Sequence, residues 1–82
     1  MNRNVKQLAD EFLKNADSKE MIEFLRGILT PKELSELSTR LKIVKMVKQG
    51  IAHHTIAQKL GVGVATVTRG SKEIQQGRFQ HV

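Results

Sequence analysis

Between His53 and Lys72 the chain reads HHTIAQKLGVGVATVTRGSK, and these residue types suit recognition of a polyanion rather than the making of bonds. Ala57 is small where two helices cross closely, and Gly61, four residues on, allows a left-handed turn between them. Ile56, Leu60, Val62 and Val67 are apolar where two such helices must bury against each other and against the helix before them. The other side chains are polar or small enough to face a groove. This order predicts a helix-turn-helix whose second helix, about residues 64–75, lies in a DNA major groove. An ordinary helical hairpin is the plain alternative, and the basic surplus of the segment argues against it. Val64, Ala65 and Thr66 are expected to approach base edges, with Ala65 and the Thr66 methyl against thymine methyls and the Thr66 hydroxyl on a base or a water. Thr68, Arg69 and Lys72 are expected nearer phosphates. No arginine stands at the start of the helix to grip guanine, so water-mediated and shape readout must share the specificity.

Gly70 breaks the pattern. It stands in the interior of the recognition helix, where glycine costs about 1 kcal/mol relative to alanine. It neither caps nor ends that helix. One reading is close packing of a neighbouring helix, or a glycine merely tolerated. The other is a ligand pocket beside Arg69, partly walled by the recognition helix.

Other chemistry finds little support. His53 and His54 are adjacent and point to different sides of a helix, so with His81 they do not suggest a metal site. Gly61-Val62-Gly63 lacks the third glycine of a dinucleotide loop, the strand before it and the lysine of a phosphate-binding loop. No serine, histidine and acid stand in a recognisable catalytic order, and the chain has no cysteine. We therefore expect no enzyme, no metal and no resident cofactor.

The elements that must position the helix-turn-helix come from a chain of 82 residues, the length of one domain. Residues 1–41 hold seven basic and seven acidic side chains; residues 42–82 hold seven basic side chains and only Glu73 against them. A neutral half joined to a basic half suggests a scaffold joined to a surface for a polyanion. The alternative from another class is a helical dimer that binds an acidic protein partner through its basic face. Anionic membrane is a weaker candidate, because the basic half has few bulky apolar residues to insert. No apolar run nears the roughly 18 residues of a membrane span, and the N-terminal stretch lacks the apolar core of a signal peptide. The expected location is the cytoplasm. So short a chain, without disulfides, has a marginal core, and a homodimer is the expected remedy.

Helical periodicity and caps give an all-α domain spanning 1–82: N-terminal helices in 1–28, a long helix over 31–49, the helix-turn-helix over 53–72 and a tail over 76–82. Val5, Leu8, Phe12 and Leu13 make one face of a first helix from about Val5 to Asn15. Asp17 opens a second with Glu20 as its capping partner, Met21, Ile22, Leu25, Ile28 and Leu29 as its buried side, and Gly27 to end or kink it. Thr30-Pro31-Lys32-Glu33 is a strong start signal for the long helix, and Gly50 is its left-handed stop. Leu34, Leu37, Leu41, Val44 and Val47 form a stripe along it that needs a partner, part of which is expected to be a second copy of the chain.

LTPKELSELSTRLKIVKMVKQG followed by HHTIAQKLGVGVATVTRGS closely resembles the bacterial tryptophan operon repressors, over about residues 29–71. The resemblance implies an all-helical, intertwined dimer that binds a palindromic operator when L-tryptophan lies beside the helix-turn-helix. It implies that Arg40 and Arg69 sandwich the ligand, with Arg69 also meeting its carboxylate, and that Thr30 and Gly70 line the pocket. It places Val64, Ala65, Thr66 and Thr68 at the bases, and His53 and His54 at polar DNA contacts. Three departures stand out. Glu73 occupies the position of the pocket serine that meets the ligand amino group, where a carboxylate either pairs with an ammonium or fills the pocket and repels a carboxylate. The segment between Gly50 and Gly61 is one residue shorter than in the best-known members. With Val82 as the last residue, the family's final helix is expected to be missing or reduced.

Overall fold

The computed structural model describes residues 2–15 and 17–82. Within them the protein is all-α, and α1 (Arg3–Lys14), α2 (Ser18–Ile28), α3 (Pro31–Lys48), α4 (His53–Leu60) and α5 (Val64–Gln75) follow in order. The chain forms two compact units, Met1–Leu34 and Ser35–Val82.

In the first unit the helices start where side chains satisfy free backbone amides. Asn4 N donates to Asn2 Oδ1 at 2.7 Å, which starts α1 two residues before the expected Val5. Glu20 N donates to Asp17 Oδ1 at 2.8 Å at the head of α2. Gly27 neither ends nor breaks α2, which runs through it to Ile28. The Phe12 and Phe24 rings meet edge to face at 5.4 Å between centroids and tie α1 to α2. The burial expected of α2 is found only in part: Met21, Leu25 and Leu29 are half-buried, Ile22 and Ile28 are exposed, and neither α1 nor α2 has a fully buried residue. Helices this short bury few residues without a third layer. At the head of α3 the Thr30 and Glu33 pair closes in both directions. Glu33 N donates to Thr30 Oγ1 at 3.1 Å, and Thr30 N donates to Glu33 Oε1 at 2.9 Å.

The second unit is built on the remainder of α3. That helix stops at Lys48 and Gly50 takes φ +81°, the left-handed conformation expected of its stop. Ile43, Ile56, Ala57 and Val67 form the core, one or two from each of α3, α4 and α5, with Met46, Val47, Ile51, Leu60 and Val62 packed around them. Ile56 and Val67 are wholly shielded from solvent. The Val44 end of the apolar stripe is buried too, while Leu37 and Leu41 are exposed. Between α4 and α5, Gly61 turns at φ +66°, and Val62 N donates to Ala57 O at 3.0 Å. The residues that fix this turn are those whose sizes predict a helix-turn-helix. After α5 the chain turns back through Gly77 (φ +94°) and Phe79 (φ +61°), and Lys48 Nζ donates to the Phe79 and Val82 backbone oxygens. Among the described residues, no helix is long and apolar enough to cross a membrane.

Candidate nucleic-acid interface and adjoining cleft

The inner faces of α4 and α5 make the core, which leaves the outer face of α5 exposed. Val67 points inward and is fully buried; Val64, Ala65, Thr66, Arg69 and Lys72 are exposed, and Thr68 is half-buried. Val64, Ala65, Thr68, Arg69 and Lys72 line one shallow groove of about 350 Å³. Gly63 precedes α5 and offers no capping side chain, so amides of the first turn are open to an acceptor such as a phosphate oxygen. His54 is exposed and His53 half-buried at the start of α4, which likewise has no side-chain cap. All eight residues expected to face DNA thus lie on α4 and α5. The Lys48 ammonium, also in the basic half, is engaged by backbone oxygens of the tail.

A cleft of about 720 Å³ opens on the other side of α5, between it, α3 and the tail. Arg40, Arg69, Gly70 and Glu73, four of the five expected ligand residues, line it. Thr30 belongs to the first unit, where its hydroxyl accepts from Glu33 N. Gly70 does more than leave a gap. A Cβ built on it falls 3.0 Å from Ile43 Cγ2, so its bare backbone is also what lets α5 lie this close to α3. Close packing against α3 therefore accounts for the anomalous glycine, and Gly70 and Ile43 both line the cleft. Glu73 stands half-buried, with its Oε2 3.8 Å from Arg78 Nε. Arg78 and Phe79, two lining residues that periodicity does not single out, come from the tail. The Gly77 turn, the Arg78 N to Glu73 O bond, the positive φ of Phe79 and the long-range Lys48 clasp put them there, and of these only Gly77 leaves a local trace in the sequence.

Arg69 lines both concavities, the cleft and the groove on the outer face. An occupant of the cleft that moved its guanidinium would alter the surface offered to a partner of α5. Among the described residues, no three His, Asp or Glu side chains gather as a metal-holding group.

Comparison with known proteins places this geometry in context. The model of the family described as Trp repressor protein matches residues 3–81. A Trp operon repressor homolog of Vibrio parahaemolyticus is 34% identical over 74 residues, covering 89% of this chain and 72% of that protein. One from Vibrio cholerae is 42% identical over 67 residues, covering 79% of this chain and 65% of that protein. The protein named Uncharacterized protein YerC of Bacillus subtilis is 27% identical over 75 residues, covering 92% of this chain and 72% of that one.

Proposed function

This chain belongs to the Trp repressor protein family, and from that premise we propose that it is a sequence-specific DNA-binding transcriptional repressor working in the cytoplasm. The helix-turn-helix of α4 and α5 is the reading head. Val64, Ala65 and Thr66 meet base edges in the major groove, while Thr68, Arg69, Lys72, His53 and His54 hold the backbone. The repressor acts as a homodimer on a palindromic operator, with recognition helices about one helical turn of DNA, 34 Å, apart. The exposed Leu37 and Leu41 of α3 support this, since an apolar stripe on so small a chain needs a covering surface.

The cleft beside α5 takes an amino acid, L-tryptophan foremost, as co-repressor. Arg40 and Arg69 are planar cations that stack on an aromatic face while one also meets a carboxylate. The observation that carries the reading is the position of Arg69, in the wall of the cleft and in the outer groove of α5 at once. An effector there has a direct route to the reading head.

Selection of bound duplexes from a random pool, with and without L-tryptophan, tests the reading. It expects sites with two-fold symmetry, enriched more strongly when the amino acid is present. Sites without symmetry would count against the dimeric repressor, and equal enrichment would remove the co-repressor.

A further inference from the structure

The tail after α5 does two things that a loose chain end does not. Lys48 Nζ, from the end of α3, donates to the Phe79 backbone oxygen and, at 3.1 Å, to that of Val82. Phe79 itself holds φ +61°, the one left-handed residue other than glycine among the described residues. A phenylalanine adopts that conformation only where its surroundings fix it. The surroundings here are the clasp, the Gly77 turn whose N donates to Ile74 O at 3.0 Å, and the Arg78 N to Glu73 O bond at 3.0 Å. The fixed residue lies in the wall of the cleft, with Arg78 beside it. It is also the only aromatic residue of the FWY kind that the second unit has. The chain contains no tryptophan or tyrosine, and its other two phenylalanines, Phe12 and Phe24, pair with each other in the first unit.

We propose that Phe79 is an aromatic wall of the effector cleft, a specificity-determining residue that favours ligands carrying an aromatic ring, and that Lys48 is the positioning residue that holds it there. The inference rests on the cleft being an effector site, as proposed above, and adds to it the tail residue that chooses among ligands. Arg40 and Arg69 answer the ligand's charge and any planar group; an added ring answers aromaticity specifically, through edge-to-face or offset contact. The alternative, in which Phe79 fills the space and competes with the ligand, fits poorly with a cleft that remains about 720 Å³ in volume with Phe79 already in its wall.

The test is calorimetric titration with L-tryptophan and with L-leucine, in the absence of DNA. Wild-type protein is expected to prefer L-tryptophan. Phe79→Ala and Phe79→Leu should each weaken L-tryptophan by about three- to ten-fold, the scale of one aromatic contact, and narrow the preference over L-leucine. Phe79→Tyr should retain it. Lys48→Met should shift the preference in the same direction and Lys48→Arg should restore it, a pattern that general loss of structure would not give. In the unmodified protein, nuclear Overhauser contacts should join the indole protons of bound L-tryptophan to the Phe79 ring, so the outcome does not depend on any variant folding. Absence of those contacts, failure of the wild type to bind L-tryptophan, or tighter binding by Phe79→Ala would each overturn the proposal. Since no arm contains DNA, failure to find an operator would strike the repressor reading alone.

Discussion

Gly70 of α5 backs onto Ile43 of α3 so closely that a Cβ on residue 70 would stand 3.0 Å from Ile43 Cγ2. Ile43 is 2% exposed and packed with Ile56 and Val67, so it has little room to yield. Two effects then compete in Gly70→Ala. Helix propensity favours alanine by about 1 kcal/mol, while overpacking of a filled core costs about 1–3 kcal/mol. The expected result is a net loss of about 1 kcal/mol. Gly27→Ala is the control: Gly27 also lies within a helix, but a Cβ there meets nothing within 4 Å. It should gain about 0.5–1 kcal/mol from propensity alone. Denaturant melts followed by circular dichroism give both values, and a stabilised Gly70→Ala would refute the close-packing account. Gly70→Leu should melt the second unit, so any ligand loss in that variant reports the fold before the pocket.

What was legible in the sequence is what has local causes. The caps at Asp17 and Thr30, the left-handed stops at Gly50 and Gly61 and the buried set Ile56, Ala57 and Val67 all follow from residue type and spacing. The Gly70 anomaly was visible as well, yet sequence could not choose between a gap and a close contact, because Ile43 lies 27 positions away in the chain. Ile22 and Ile28 are exposed where periodicity predicts burial, for a related reason. Periodicity marks an apolar face but does not say whether anything covers it. The tail was the least legible part, since the Lys48 clasp spans 31 residues and Phe79 carries no turn signal.

The Thr30 and Glu33 pair makes stability depend on pH in a stated direction. The amide and hydroxyl of Thr30 hold the Glu33 carboxyl below its usual 4.5, the backbone hydrogen bond being the larger cause. A carboxyl whose folded pKa is depressed contributes stability above its unfolded pKa and loses it as pH falls through the folded value. Glu33→Gln should therefore flatten the acid side of the stability profile below about pH 4.5 and leave its shape near neutrality unchanged. Thr30→Ala should cost about 1 kcal/mol as a lost N-cap and let the Glu33 carboxyl titrate nearer its ordinary value, as carbon-detected NMR would record. An unmoved Glu33 in Thr30→Ala would show that the hydroxyl contributes nothing and that the backbone amide of residue 30, which alanine keeps, holds the carboxyl alone.

Leu37 and Leu41 lie one helical turn apart on α3, and both remain exposed. If a second copy covers them, Leu41→Glu should weaken association at least about ten-fold, because burial of one leucine is worth about 1.5–3 kcal/mol. Sedimentation at micromolar concentration should show a wild-type dimer and a variant shifted toward monomer. A monomeric wild type would remove the dimer from the mechanism.

On DNA, residues of one helix should separate into two kinds. Thr66→Ala changes a group proposed to meet base edges and should alter which sequences are preferred. Lys72→Ala removes a phosphate partner and should weaken all sequences alike, while reducing the salt slope by about one unit. The wild-type slope should itself be several units negative, at about 0.9 per phosphate neutralised. Lys48→Met should change that slope less than Lys72→Ala does, because the Lys48 ammonium is already taken by the tail. A salt-independent affinity would instead favour an acidic protein partner for the basic face.

If the cleft takes an amino acid, as proposed, Glu73 is the residue that meets or repels it. Its carboxylate is half-buried, and Arg78 Nε approaches its Oε2 at 3.8 Å. That contact is long and largely solvated, so it leaves the acid able to accept from a ligand ammonium. With Arg40, Arg69 and Arg78 around the same cleft, the ligand carboxylate has cations to meet and need not approach Glu73. Glu73→Ser should accordingly weaken L-tryptophan binding by removing the partner of its ammonium. It should affect an aromatic acid that lacks the amino group much less. Calorimetry on both ligands separates this from repulsion, in which Glu73→Ser would strengthen both. If the wild type binds neither ligand and Glu73→Ser binds both, the acid is a block, and the protein represses without an amino-acid switch.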